Sequence, residues 1–563
     1  MPLSLAETTA RLTAPGAPFE MVEGEALGRR MRLWKYAASN LREPLLAAEA
    51  FGDDEFIVYQ DERVSYGEFR RRVNALAAAL QGQFGVAKGD RVAIAMRNLP
   101  EWPVSFFAAT AIGAVAVPLN GWWTGPELHY GLADSGAKVL IADAQRWERA
   151  RPRRSELTDL ETVILVGTAV HPEGTVRFAE LTEGEAGLPD VAIDPDDPAT
   201  IFYTSGTTGF PKGALGTHRN IATNAHSLAF GRARTDLRHG RVPAALGGPA
   251  PPKGCVLLSV PFFHVTGCHS TLLPTMIGGG KLVLMYRWNP EQALELIERE
   301  RVTAFGGVPG MAWQVLESPD FAKRDTSSIL SIGYGGAPSA PELVKRLRQG
   351  FPQGQPGQGY GLTETSSVTT QISAEDYVDH PDSCGPAVPV CDVRVIGEAG
   401  ETLPVGAVGE LLIYGPNIVQ GYWNKPAETA ASFVDGWLRS GDLARLDDEG
   451  FIYIVDRVKD VLIRGGENVY CSEVENALYS HPAVMDATVV GLPHRVLGEE
   501  VGAAVQVAPG AALNQAELQA YLKGKLAAFK IPVRIDVRDT PLPRNANGKI
   551  MKPTVREEML AAS

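Results

Sequence analysis

Short apolar runs separated by helix-length stretches constrain this chain most. "RVAIAM" (91–96), "KVLIAD" (138–143) and "TVILVG" (162–167) each read as a buried strand. Ahead of the first, Ser65 and Glu68 form a capping-box pair, and Phe69, Val73, Leu76, Ala77 and Leu80 recur at helical spacing. Strands spaced by helices predict layered α/β architecture with largely parallel sheets. The most apolar run, "VSFFAATAIGAVAVPL" (104–119), is shorter than the ~20 residues of a membrane helix. Gly113 and Pro118 break it, so it reads as a buried helix running into a buried strand.

The pattern changes twice further on. From Pro386 to Tyr453, short β-like pieces and turns predict a small β-rich subdomain. Beyond about 457–459 the chain reads as a compact α+β tail. There Ser472 and Glu475 are expected to cap one helix and Asn514 another, with Ala487 to Gly491 a strand between them. Residues 231–254, rich in Gly, Pro and Arg, read as a surface loop with solvated arginines and some mobility. The 563 residues suffice for roughly three or four domain-sized units, some fused into one body. The expected division is a large domain, 1–457, of layered α/β subdomains plus the β-rich one, and a small mobile α+β domain, 458–563.

A formal charge of -13 argues against a general role on nucleic acid or anionic membrane, though not against a local basic site for a phosphorylated ligand. The five cysteines are scattered without a CxxC pair, which points to a reducing compartment and no disulfide or zinc framework. The N-terminus has no charged segment followed by an apolar one, so no signal peptide is expected and the chain is placed in the cytoplasm.

"YTSGTTGFPKG" (203–213) is close to a phosphate loop. A Walker A loop has a second glycine where Pro211 stands and a metal-binding hydroxyl where Gly213 stands, which disfavours a generic P-loop ATPase. Thr204, Ser205, Thr207 and Thr208 bring hydroxyls, Gly206 and Gly209 let N–H groups turn inward, and Lys212 adds a positive charge. Polar turns of this kind make anion-binding nests. In "GQGYGLTETSS", Glu364 suits a magnesium ion and Tyr360 offers a face to a base. Asp442, in a Ser-Gly-Asp turn, suits ribose hydroxyls, and Arg457 suits ribose or phosphate. Lys549 follows an Asn-Gly turn, ordinarily a solvent-exposed tip.

Taken in order, "YTSGTTGFPKG", "PFFH", "GYGGAP", "GYGLTE", "GDLARLDDEGFIYIVDRVKD", "RGGEN" and "NGKIMK" resemble the adenylate-forming superfamily of acyl- and aryl-CoA synthetases, luciferases and peptide-synthetase adenylation domains. The likeness spans about residues 50 to 552. It implies that Thr204 to Lys212 cradle the β- and γ-phosphates of ATP, with Thr204 and Glu364 placing Mg²⁺. Gly336, Ala337 and Pro338 would line the adenine site, Tyr360 would stack on the base, and Gly361 and Thr363 belong to the same ATP-binding set. Asp442 would hold the ribose, Arg457 ribose or phosphate, and Lys549 would bridge the attacking carboxylate and the α-phosphate. His264 would lie near the acyl carboxylate, in an acyl site with Phe263, Gly307, Val308 and Gly335. Lys459 occupies the family's hinge position. Arg464, Gly465, Gly466 and Glu467 would form a channel for the thiol of CoA after the small domain rotates.

"RGGENVYCSEVE" resembles CoA ligases, although Cys471 stands where they often carry proline. The chain stops 14 residues past Lys549, so no fused carrier domain is expected. Gly361 replaces the tryptophan that shortens acetate-type pockets. With Gly306, Gly307, Gly335 and Gly336 it suggests room for a medium- or long-chain fatty acid or a bulky aryl acid, against walls of Phe262, Phe263, Val308 and Met311. The leading expectation is thus an ATP-dependent acid–CoA ligase whose partners are the acid, ATP and CoA, with a homodimer left open. The alternatives are an adenylating ligase loading a separate carrier protein, a luciferase-like oxygenase, and a non-catalytic nucleotide or acyl sensor. The intact Lys549, Glu364 and Asp442 count against the sensor.

Overall fold

The computed structural model describes residues 3–167, 172–204, 210–336, 341–508, 510–511, 513–545 and 548–562. The strands read from sequence fall in a seven-stranded sheet. Its order is Lys212–Thr217, Pro198–Thr204, Val115–Pro118, Arg91–Ala95, Val139–Asp143, Thr162–Val166 and Val176–Arg177. All neighbours are parallel except the Pro198–Thr204/Lys212–Thr217 hairpin at one edge. A second, eight-stranded sheet carries Cys255–Leu258, Ala304–Gly307, Ser331–Gly335 and Gln355–Tyr360 in a parallel row.

One hydrophobic core joins the two sheets. Val92 and Ile94 from the first and Ile57, Leu258 and Leu282 from the second pack on helices Tyr66–Gly82 and Glu101–Ala111. The second helix is buried from Trp102 to Ala111 and runs into the strand Val115–Pro118, as its apolar run predicts. A helix apolar all round needs cover on every side, and only a position between layers supplies it. Among the described residues no helix is long and apolar enough to cross a membrane.

The β-rich part is an antiparallel sheet that ends with the strand Ile452–Arg457. The next strand, Leu462–Arg464, belongs to a separate five-stranded sheet with its own core, which runs from Leu462 to Ile535. Asn514 caps the helix Gln515–Leu522 in a full capping box with Glu517.

Three local expectations are corrected. Ser472 and Glu475 form no capping box, because the helix Cys471–Tyr479 starts two residues earlier than that box requires, with Tyr470 in the N-cap position. The Ser472 hydroxyl donates to the Val455 carbonyl instead, while Glu475 pairs with Lys552 at 2.9 Å. The segment 231–254 is not all loop, since the helix His218–Arg238 continues through its first third. Arg234 is buried and donates to the Gln371 carbonyl, and Arg238 pairs with Asp376 at 3.1 Å. Gly231 signals a loop by residue type, yet it lies within the helix, with the Gln371 side-chain amide packed where a Cβ would be, 2.0 Å from Oε1. At Ser65 only half of the expected box forms. Its hydroxyl caps Glu68 N–H at 3.2 Å, while the Glu68 carboxylate serves Arg71 and Arg72.

The architecture places a crevice. The parallel row of the second sheet opens at its carboxyl ends onto Ser259–His264, Val308, Gly336 and Gly361–Glu364. Ligand sites of open α/β sheets lie outside such ends. Trp102 stacks on Phe262 beneath this rim, with centroids 4.9 Å apart and planes 16° from parallel. Trp102→Ala is expected to lower stability by about 3–5 kcal/mol, read as a shifted chemical-denaturation midpoint; a loss below about 1 kcal/mol would show that this ring does not key the layers together.

Candidate active site

The crevice narrows to a small cavity lined by Val260, Pro261, His264, Thr266, Gly307, Val308, Gly335, Gly336 and Lys549. The first eight stand on or just after strands of the second sheet. Lys549 comes from the C-terminal part of the chain, and its side chain would lie 3.6 Å from a Cβ placed on Gly336. The Lys549 N–H donates to Asn545 Oδ1 at 3.1 Å, Gly548 turns the backbone with φ +76°, and Arg544 donates to the Gly548 carbonyl. The lysine is therefore set in a bonded turn rather than at a free tip.

Burial pushes the Lys549 ammonium down to about 8, with Arg457 adding repulsion. Lys459 also repels it, while Asp442 and Glu364 pull the other way. All these groups act on one nitrogen, so the structure brings five of the sequence-predicted residues into one electrostatic neighbourhood. His264 is pushed down to about 3 by burial and by Lys549, so its ring is neutral. Its Nδ1 accepts from the Thr266 N–H at 3.3 Å, which leaves the proton on Nε2.

A second group sits at the end of the strand Gln355–Tyr360. The Tyr360 hydroxyl donates to Asp442 Oδ2 at 2.6 Å, and Arg457 Nε meets Asp442 Oδ1 at 3.2 Å. Asp442 and Arg457 are paired across adjacent strands, which explains their contact despite the 15 residues between them. Asp442 is 4% exposed, whereas the Arg457 side chain keeps 45% of its surface. Thr363 and Glu364 lie on the short 3-10 turn Thr363–Thr365. Ser366 and Ser367 follow with φ of +52° and +104°, a costly backbone for non-glycine residues and one that clusters at functional sites.

Thr204 and Lys212 face each other at the mouth of the edge hairpin, with the Thr204 hydroxyl 3.4 Å from the Lys212 carbonyl. Ser205, Gly206, Thr207, Thr208 and Gly209, together with Ala337 and Pro338, lie outside the described residues. Tyr422, unnoticed in the sequence, joins two predicted groups. Its ring lies 4.3 Å beneath Lys212 Nζ, and its hydroxyl donates to Glu364 Oε1 at 2.7 Å. An aromatic residue in a polar turn was its only signal.

Several expectations land elsewhere. Phe263 is buried but does not line the cavity, and neither does the Arg464–Glu467 turn. That turn joins two antiparallel strands through Gly465 and Gly466 at φ +61° and +90°, and Arg464 pairs with Glu500 at 3.3 Å. Lys459 lies in the link between the last strand of the β-rich sheet and the first of the next. The glycines taken as room in the pocket divide. A Cβ on Gly306, Gly335 or Gly361 would strike the carbonyl of Gly333, Gly359 or Ser367 at 1.8, 2.5 and 1.4 Å, so backbone proximity demands them. Gly307 and Gly336 alone of this set have side chains nearest, Met311 and Lys549, and of these only Lys549 lines the cavity; Met311 and Phe262, expected as walls, do not.

A family model described as AMP-binding enzyme matches residues 46–423, and one described as AMP-binding enzyme C-terminal domain matches 473–549. A feruloyl-CoA synthase of Amycolatopsis is 36% identical over 494 residues, which cover 88% of this chain and 93% of that one. A long-chain-fatty-acid–CoA ligase of Mycobacterium tuberculosis is 35% identical over 503 residues, covering 89% and 94%. ATP-bound MatB from Rhodopseudomonas palustris superposes with a TM-score of 0.80 at 30% identity, over 92% of this chain and 98% of that one. An anthranilate CoA ligase in complex with anthranoyl-AMP reaches 0.82 at 24% identity over 93% and 98%, a likeness of fold.

Lys549 should titrate near pH 8 in the free protein, against about 10.4 for an ordinary lysine. The measurement is the pH dependence of ¹³C-dimethyl-lysine resonances, with Lys549→Arg assigning the signal. A midpoint above about 10 would contradict the buried, cation-crowded position.

Proposed function

Since the chain belongs to the AMP-binding enzyme family, whose relatives include acyl- and aryl-CoA ligases, we propose that it joins a hydrophobic carboxylic acid to CoA in two steps at this crevice. The observation that carries the reading is Lys549, brought from the small domain into a cavity that also holds His264 and Gly336.

In the first step a carboxylate oxygen attacks the α-phosphorus of ATP. The new P–O bond gives an acyl adenylate, and the bond to the β-phosphate breaks and releases pyrophosphate. Anions meet in this step, so preorganised cations and N–H donors lower its barrier. Lys549 supplies a point charge between carboxylate and α-phosphate. A pKa near 8 keeps it mostly charged at neutral pH, and a bound triphosphate would raise that further. The neutral His264 offers Nε2–H to an acyl oxygen without adding repulsion to Lys549. Asp442 takes the ribose, Tyr360 the base, and Lys212 the outer phosphates.

Glu364 and the Thr204 hydroxyl are hard oxygen donors of the kind magnesium uses beside substrate phosphates. Among the described residues no group of three or more His, Cys, Asp or Glu gathers, which fits a metal ligated mainly by phosphate and water. Bound there, magnesium would neutralise phosphate charge.

In the second step the CoA thiol attacks the activated carbonyl. A C–S bond forms, the C–O bond to phosphate breaks, AMP leaves and the thiol proton goes to solvent. Lys549 lines the cavity and the Arg464–Glu467 turn does not, which supports a mechanism in which the two approach the carbonyl in turn. We place the exchange in a rotation of residues 458–563 against 1–457 about Lys459. Val260, Pro261 and Val308 give the acid an apolar wall, and the feruloyl and long-chain relatives fit a bulky aryl or fatty acid.

Lys549→Ala is expected to slow pyrophosphate release by about 10²-fold or more, while thioester formation from preformed acyl-adenylate stays within about threefold of wild type. Equal losses in both half-reactions would remove the alternation. A panel of fatty, cinnamic and indole-acetic acids, assayed with and without CoA, should show AMP release that requires free CoA for at least one bulky acid. Turnover confined to an added carrier protein would replace CoA as acceptor.

A further inference from the structure

Asp134 lies in the last turn of the helix Gly125–Ser135, where no motif reading placed function. A carboxylate there opposes the negative end of the helix dipole, an arrangement that costs about 0.3–1 kcal/mol. Lysine or arginine is the residue type expected at such a position. The side chain is nonetheless 10% exposed and fully engaged.

Its contacts converge on the phosphate hairpin. Tyr203, the residue before Thr204, donates its hydroxyl to Asp134 Oδ2 at 2.8 Å. Tyr130, one turn earlier on the same helix, lies 3.4 Å from Asp134 Oδ1 and donates to the Pro211 carbonyl, just before Lys212, at 2.9 Å. Its ring stacks on Phe210 with centroids 4.7 Å apart. Lys425 reaches Oδ1 at 3.5 Å. The Asp134 carbonyl accepts from Trp423 Nε1 at 3.0 Å and Asn424 Nδ2 at 3.4 Å. Trp423 in turn donates its backbone N–H to the Gly213 carbonyl at 2.7 Å and follows Tyr422, which holds both Lys212 and Glu364. One helix end thus ties all three: the Asp134 carboxylate holds Tyr203 on the strand entering the hairpin, its neighbour Tyr130 holds the carbonyl before the strand leaving it, and the Asp134 carbonyl holds the segment that carries Tyr422.

We propose that Asp134 is a positioning residue for the triphosphate: it fixes the spacing of Thr204, Lys212 and Glu364, and so the grip on the β- and γ-phosphates of ATP, without touching the nucleotide. The inference rests on the ATP site proposed above. It makes a distinction that a general structural role does not, because AMP lacks the two phosphates concerned.

The test is calorimetric affinity of the full chain for ATP and for AMP, compared between wild type and Asp134→Ala. Removing a charged hydrogen-bonding hub is expected to weaken ATP about ten- to a hundred-fold while AMP stays within about twofold. Tyr203→Phe, which deletes one hydroxyl and keeps the ring, should give the same split at about three- to tenfold. It also stands in if Asp134→Ala does not fold. Parallel weakening of ATP and AMP, or unchanged affinity for both in the folded variants, would overturn the proposal. Binding needs no turnover, so variants that show this split beside a wild-type protein that never makes a thioester would sink the ligase reading and leave Asp134 in its role.

Discussion

A cation held in a partly dry crevice is the constraint on which the rest of this structure depends. Burial, with Arg457 beside it, pushes the Lys549 ammonium down to about 8, because taking a charge from water into this crevice costs free energy. Such a charge persists only where something recovers that free energy. In the proposed reaction the substrate does so, because two anions converge on the same point. Asp442 and Glu364 offset part of the repulsion beforehand, which keeps the lysine charged while it waits.

The surrounding side chains act mostly on one another. Tyr360 and Arg457 hold Asp442 from two sides, and Tyr422 links Lys212 to Glu364. Asp134 and Tyr130, one turn apart on the same helix, hold the hairpin at its two ends. Hydrogen bonds of this kind contribute only about 1 kcal/mol each to folding, so stability is a weak account of their number. Their value is geometric, since a misplacement of about 1 Å at a reacting centre is expensive.

Much of the fold was legible in the sequence because strand and helix periods are local. The runs at 91–96, 138–143 and 162–167 became adjacent parallel strands, and the apolar run after Val104 became a buried helix and strand. What failed was also physical. Gly231 signals a loop by type, yet the helix His218–Arg238 runs through it and packs it against the side chain of Gln371, 140 positions away. Gly306, Gly335 and Gly361 signal open space, yet neighbouring carbonyls fill it. In the site, residues with a strong chemical signature were found in the sequence, and those that hold them were not. Tyr422 and Asp134 act through contacts formed only when distant segments meet.

The junction between the two parts shows how a rotation of the small one would proceed. The Ser472 hydroxyl donates to the Val455 carbonyl, and the Ser472 N–H reaches Asp456 Oδ2 at 3.4 Å. Both partners belong to the last strand of the β-rich sheet. The Cys471 thiol instead donates to the Asp460 carbonyl at 3.0 Å, beyond that strand. A turn of the small domain that withdraws Lys549 must break the first two contacts and can keep the third. The pivot of the proposed rotation would then fall between Asp456 and Asp460, a stretch that includes Lys459. At about 1 kcal/mol for each of these part-buried bonds, the first two form a weak latch, and in the proposed reaction the charge of a bound triphosphate on Lys549 would be the larger force holding the closed arrangement. Loss of that charge with pyrophosphate release would then favour the opening that the thiol step needs.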